Sequence, residues 1–201
     1  DWRKYRKRAG GGVLIMNFIH NLDLLRFMTG LEVSRVYAEY GTFLTPVEVE
    51  DITTMTLRFD NGAVGSLVGA TCMDGHIRLA PVSLGGARAD ILHETVEDNS
   101  DRIYGSLGQI RMQGRHVWVY THATVEGLKK DDWTRLELPS VNGRSRYVDA
   151  FARAVRENRP PEIPGEEGRK ALEIVEAAYH SGAEGHPIAL PFLGSQKAHL
   201  T

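Results

Sequence analysis

The sequence predicts an α+β fold, a largely antiparallel (mixed) open β-sheet with helices packed on one face, and three observations carry that prediction. Short runs between Leu31 and Leu138 alternate apolar and polar residues with a period of two and are separated by glycines. In the last third the period changes to nearly four, over two stretches divided by prolines. Ahead of both lies one helical segment, Val13 to Met28, with too many apolar residues for a one-sided surface helix.

Gly10, Gly11 and Gly12 open that segment. Successive glycines offer no side chain to bury, so they mark backbone that turns tightly or admits something close. Gly30 ends the helix as a C′ residue. Asn17, His20 and Asp23 interrupt the apolar run at i, i+3 and i+6, and polar groups in such surroundings need partners or a cleft.

Leu31 to Tyr40 then reads as a strand, and Pro46 closes the loop after it. Val49 to Phe59 puts Ile52, Thr54, Thr56 and Arg58 on one parity and Met55, Leu57 and Phe59 on the other. Asp60-Asn61-Gly62 supplies a hairpin turn, and Ala63 to Thr71 returns, with Gly65 and Gly69 marking a bulge or a close neighbour. Residues 73–101 read as a loop with an irregular or edge strand. Arg102 to Tyr104, Gln109 to Met112, Val117 to Tyr120 and Trp133 to Leu138 read as further antiparallel strands. Tyr147, Val148, Phe151, Ala154 and Val155 form an amphipathic stripe that Pro160 and Pro161 terminate. A second helix after Pro164 turns Ala171, Leu172, Ile174, Val175, Ala178 and Tyr179 inward, and a short extended piece closes the pattern at Pro187 to Pro191. Helices on one sheet face leave the other wet, covered by extra chain or used as an interface, and its strand residues are not cleanly polar, which favours a subunit interface.

The chain of 201 residues, 42% hydrophobic and 25% charged, suits one globular domain over residues 1–201. A formal charge of -2 excludes a general nucleic-acid or membrane binder. The cations Arg3, Lys4, Arg6, Lys7 and Arg8 read as a solvated segment. Cys72 is the single cysteine, so no intrachain disulfide forms, and a reducing, cytoplasmic location is expected. Nothing reads as a signal peptide or membrane span, the longest apolar run being broken by Asn17, His20, Asp23 and Arg26. No histidine spacing suggests a metal site, and no G-x-S-x-G surrounds a serine nucleophile.

The order of these pieces resembles one family. AGGGVLIMNFIHNLDLLRFMTG is similar to the GGG-x-L-x-x-x-x-x-H-x-x-D-L-x-R segment of the Gfo/Idh/MocA oxidoreductases, the glucose-fructose oxidoreductase and inositol dehydrogenase group. VEDITTMTLRFDNGAVGSL resembles that family's hairpin, DRIYGSLGQIRM its Y-G-x-x-G strand turn, and RYVDAFARAVRENRPPEIPGEEGRKALEIVEAAYHSG its closing pair of helices. The family pairs an N-terminal Rossmann domain, which holds NAD or NADP, with a C-terminal domain that closes the substrate site and makes the oligomer. This chain resembles only the second: no strand followed by G-x-G-x-x-G opens it, and the Glu-Lys-Pro segment with the family's catalytic lysine is absent. The expectation is a C-terminal-type part that does not turn over substrate by itself.

Carried over residue by residue, His20 falls on the family's active-site histidine. An imidazole, a group whose ordinary pKa is about 6.5, can take the hydroxyl proton as hydride leaves the carbinol carbon. Met16 stands where many members carry Asp, and Asn17 beside it can bind a substrate hydroxyl. Asp23 matches the H-x-x-D and either binds substrate or pairs with Arg26. Gly10, Gly11 and Gly12 either admit the nicotinamide or make a plain tight turn, and Tyr5 and Arg6 precede them near the substrate mouth. Implied partners are a small polyhydroxylated substrate and a second copy of the chain, as a homodimer or homotetramer through the open sheet face. The competing function is a non-catalytic module for assembly or small-ligand binding.

Overall fold

The computed structural model describes residues 2–70, 101–113, 116–139 and 142–192. They fall in two compact units, one of Asp1–Arg78 with Phe151–Thr201 and one of Leu79–Ala150.

In the first unit a 3-10 turn, Trp2–Lys4, and the short helix α1, Arg6–Ala9, lead into the glycine corner. A π-helical turn, Leu14–Phe18, runs directly into α2, Ile19–Thr29, which Gly30 ends at φ 66°. Three antiparallel strands follow, β1 (Val33–Gly41), β2 (Ile52–Phe59) and β3 (Val64–Ala70). The alternation of the hairpin is observed as expected: Met55, Leu57 and Phe59 are buried while Thr54, Thr56 and Arg58 are exposed. Its turn is held by local bonds, the Asn61 amide to Asp60 Oδ1 at 2.8 Å and the Ala63 amide to Asn61 Oδ1 at 2.9 Å, with Gly62 at φ 86°. Gly69 is the close-approach glycine of β3: a Cβ there would stand 2.5 Å from the Phe18 ring, so a side chain would push the π turn off the sheet.

The second unit carries β4 (Asp101–Gly105), β5 (Gly108–Gln113), β6 (His116–Thr121) and β7 (Trp133–Leu136), an antiparallel meander in sequential order. Trp118, Tyr120 and Trp133 lie against their own sheet, with Tyr120 and Trp133 at 5.6 Å between ring centroids and the Arg111 guanidinium 5.7 Å from the Trp118 ring. The irregular stretch 73–101 and Cys72 lie outside the described residues, save Asp101 at the start of β4.

Two helices close the chain, α3 (Gly143–Arg156) and α4 (Gly165–Glu184), before β8 (Ile188–Ala189) adds to β1 and gives the first sheet the order β3-β2-β1-β8. Ala171, Ile174, Val175, Ala178 and Tyr179 of α4 are buried against the sheet with Leu14, Phe18 and Leu22. Leu172, expected inward, is 40% exposed, because it sits one position off that stripe. The apolar stripe of α3 also departs from expectation. Ala154 is buried, whereas Tyr147, Val148, Phe151 and Val155 are exposed, because no described element packs over them. Helices therefore cover one face of the first sheet, in an α+β arrangement of two antiparallel sheets.

Candidate active site

The glycine corner is built around one buried carboxyl group. Oε1 of Glu50, which is 1% exposed, accepts the amides of Gly12 at 2.8 Å and Leu14 at 3.1 Å and the Tyr179 hydroxyl at 2.7 Å. The Val13 amide donates to the Glu50 carbonyl at 3.1 Å. Donors that a helix start leaves unpaired are thus satisfied by a residue 38 positions downstream of Gly12. The crowding requires glycine: a Cβ at Gly12 would fall 1.8 Å from the Glu50 carbonyl oxygen, and one at Gly11 would fall 2.0 Å from the Tyr179 hydroxyl. Gly10 has open space and φ 80°, which makes it the turn itself. Burial, and then the neighbouring Glu50 charge, pushes the Tyr179 phenol well above its ordinary range, so it stays a donor.

Past this anchor the helix passes through its π turn, a geometry that recurs at functional positions. Met16 is half-buried there and Asn17 exposed. His20 follows in the first turn of α2 and is exposed. Four other histidines are described, and each is engaged: His116 with Arg135 at 2.8 Å, His122 with Asp131 at 2.9 Å, His186 with Glu184 at 2.9 Å, and His180 3.6 Å from Glu184. His20 alone of the five has no hydrogen bond or ion pair with a described residue.

The foot of α2 is tied down by ions. Asp23 lies 3.8 Å from Arg26, the pairing that sequence spacing allowed. Arg26, buried to 5% exposure, grips Glu32 through Nε at 2.8 Å and Nη2 at 3.0 Å, and reaches Glu167 of α4 at 2.7 Å. Lys170 adds a bond to Glu32 at 2.8 Å. Hydrogen bonds from Arg26 and then Lys170 outweigh burial and hold the Glu32 carboxyl down at about 2.

On the other side of the corner, the Arg6 amide donates to Glu48 Oε2 at 3.0 Å and its guanidinium to the Glu48 carbonyl at 3.2 Å, while the exposed Tyr5 ring lies 5.6 Å from the Arg8 guanidinium. The structure puts Asn17 and His20 on one continuous helical segment, with Gly10, Gly11 and Gly12 forming the corner before it and Tyr5 and Arg6 ahead of that corner. Sequence reasoning missed Glu50 and its partner Tyr179, and also the Arg26 network beyond Asp23. The one available signal was the acidic pair Glu50-Asp51 directly ahead of a strand. Its second member accepts the amides of Phe43, Leu44 and Thr45 at 2.7–2.8 Å and fixes the intervening loop. Among the described residues no group of three histidine, cysteine or acidic side chains could hold a metal ion, and no helix is long and apolar enough to cross a membrane.

Comparison with known proteins identifies the family and the fold. The profile of an oxidoreductase family, C-terminal alpha/beta domain, matches residues 1–190. Myo-inositol 2-dehydrogenase of Thermotoga maritima is 26% identical over 191 residues, covering 91% of this chain and 50% of that protein. Among solved structures, aldose-aldose oxidoreductase from Caulobacter crescentus, complexed with glycerol, superposes with a TM-score of 0.71 at 25% identity over 94% of this chain and 51% of that one. Levoglucosan dehydrogenase in complex with NADH and levoglucosan superposes with a TM-score of 0.70 at 20% identity over 96% of this chain and 54% of that one, a likeness of fold. The chain spans about half the length of the curated relatives it matches.

Proposed function

Since this chain belongs to the Gfo/Idh/MocA oxidoreductase family, as its C-terminal α/β domain, we propose that it forms the substrate-facing and assembly half of an NAD(P)-dependent oxidoreductase. The substrate class is a sugar, cyclitol or related polyol, reacting at a hydroxyl or carbonyl carbon. The observation that carries this reading is the exposed imidazole of His20, unbonded on a helix whose start and foot are otherwise pinned. The myo-inositol 2-dehydrogenase and the aldose-aldose oxidoreductase to which it is similar support the substrate class.

When bound, the nicotinamide accepts or donates the hydride. What this chain supplies is the proton path and the hold on the polyol. A ring nitrogen of His20 takes the hydroxyl proton during oxidation and returns it during reduction. The Asn17 side chain, one turn earlier and exposed, hydrogen-bonds a neighbouring hydroxyl. Asp23 is half-exposed beside Arg26 and keeps a carboxylate oxygen for a further hydroxyl, and Tyr5 and Arg6 line the mouth. The amides of Gly10, Gly12, Val13 and Leu14 are all spent within the chain, which does not suit a phosphate cradle. Gly10, the exposed glycine, is the one available to a nicotinamide ring, and the dinucleotide is held mainly by residues outside this chain. The open face of the first sheet makes a homodimer or homotetramer.

The test is turnover of the full-length protein, followed by nicotinamide absorbance with myo-inositol, levoglucosan and aldoses. His20→Ala lowers kcat by about 100-fold or more with an unchanged far-UV circular dichroism spectrum. Unchanged turnover overturns the role of His20.

A further inference from the structure

Two side chains from distant parts of the chain hold the helical segment that carries Asn17 and His20. Four successive amides enter that segment, and each has a partner outside it. The Gly12 and Leu14 amides donate to Oε1 of Glu50 at 2.8 and 3.1 Å, and the Val13 amide donates to the Glu50 carbonyl at 3.1 Å. The Ile15 amide donates to the Tyr179 hydroxyl, which in turn donates to the same Oε1 at 2.7 Å. Oε2 of Glu50 has no hydrogen-bond partner among the described residues, so the whole side-chain hold passes through one oxygen. The Tyr179 ring is itself fixed by Tyr40 of β1, which stands edge-on to it with 5.4 Å between centroids and donates its hydroxyl to the Tyr179 carbonyl at 3.3 Å.

The segment held in this way opens with the π turn Leu14–Phe18. A π turn closes its hydrogen bonds one residue later than an α turn, and helices rarely contain one. Relaxing it to α would carry every later residue through one helical position, on the order of 100° about the axis and about 1.5 Å along it. His20, in the first turn of α2, would swing with it. We propose that Glu50 and Tyr179 are positioning residues: by binding the four amides at the entry of the wide turn they keep it wide, and so set where the His20 imidazole and the Asn17 side chain are presented. At 1% and 8% exposure neither meets the substrate, and both act through the helix. Their effect on turnover rests on the reading that His20 exchanges the substrate proton, whereas their effect on the place of the ring does not.

The experiment follows the imidazole directly, by proton-carbon correlation NMR of the full-length protein labelled at the histidine Cε1 positions, with the His20 signal assigned by its loss in His20→Ala. Tyr179→Phe removes one oxygen and leaves the packed ring, so the far-UV spectrum is kept while the Ile15 amide loses its acceptor. The His20 signal is expected to split or broaden, and those of His116 and His122, in the second unit, to stay in place. In Glu50→Gln the amide oxygen accepts the same three donors, so one sharp His20 signal remains. Turnover should follow the signal: kcat falls about tenfold in Tyr179→Phe, stays within about threefold of the wild type in Glu50→Gln, and changes by less than about twofold when Tyr179→Phe is added to His20→Ala. An unmoved His20 signal in Tyr179→Phe overturns the proposal. A split signal in Glu50→Gln also overturns it, since the charge and not the hold on the amides would then be at work, and so does an equal loss of kcat with and without His20. Turnover that His20→Ala leaves unchanged overturns the proton role alone, because the signal still reports whether these two residues place the ring.

Discussion

Glu50 is the residue on which the candidate site stands. One oxygen of its side chain takes three donors, and its backbone carbonyl takes a fourth, so the start of the helix that carries His20 is fixed to the segment ahead of β2. Glu50→Ala strips acceptors from two buried amides and a phenol at once, and a loss of about 3–5 kcal/mol is expected in urea unfolding. The glycines should separate by position. Gly12→Ala drives a Cβ into a backbone carbonyl 1.8 Å away, which side-chain motion cannot relieve, so it should cost more than about 3 kcal/mol. Gly10→Ala meets open space and suffers only its φ of 80°, costing about 1–2 kcal/mol. Equal losses at the two positions in the same unfolding series would show that the corner relaxes as a whole. Three consecutive glycines announce a close approach in any sequence. What they approach was not legible, because the contact is made to a residue 38 positions away whose spacing from them carries no periodicity.

At the scale of elements, period did most of the work and burial did the rest. Alternation placed β1 and β3 to within two residues and β2 to within three, because one face of each is covered and a one-residue slip would expose every inward side chain. The same logic overreached for α3: four-residue periodicity marks an amphipathic helix but does not supply the element that covers it. The ion network joining α2 to α4 was legible only at Asp23 and Arg26, since Glu167 and Lys170 arrive from the far end of the chain. That network predicts an acid-sensitive docking of the two helices. The Glu32 carboxyl is held at about 2 in the folded protein against an ordinary value of 4.5. Its contribution is therefore complete above pH 4.5 and fades as pH falls from there through about 2. Paired unfolding curves of the wild type and Glu32→Gln should differ most at neutral pH and converge across that window. A difference that stays constant down to pH 2 would mean that the bonds to Arg26 and Lys170 do not set its titration.

Across the whole molecule the two units are unequally buried, and that sets how each should open. In the first, Val36 and Leu57 on adjacent strands and Val175 on α4 are wholly inaccessible, so opening the central pair of strands means losing the core. In the second, Thr121 is the one buried residue among those described, and the apolar side chains of β4 to β7 are covered only in part. A meander with so little buried apolar surface gains little by staying closed, so its amides should exchange through local opening well below the global unfolding free energy. Hydrogen exchange followed by mass spectrometry should find peptides from residues 33–41 and 52–59 protected longest, with those from 101–121 exchanging at least about tenfold faster. Uniform protection would require the meander to share one cooperative core with the first unit. The expected gradient also bears on function. The helix that carries Asn17 and His20 packs on the slow-exchanging sheet through Leu14, Phe18 and Leu22, so the imidazole is presented from the part of the molecule least prone to open.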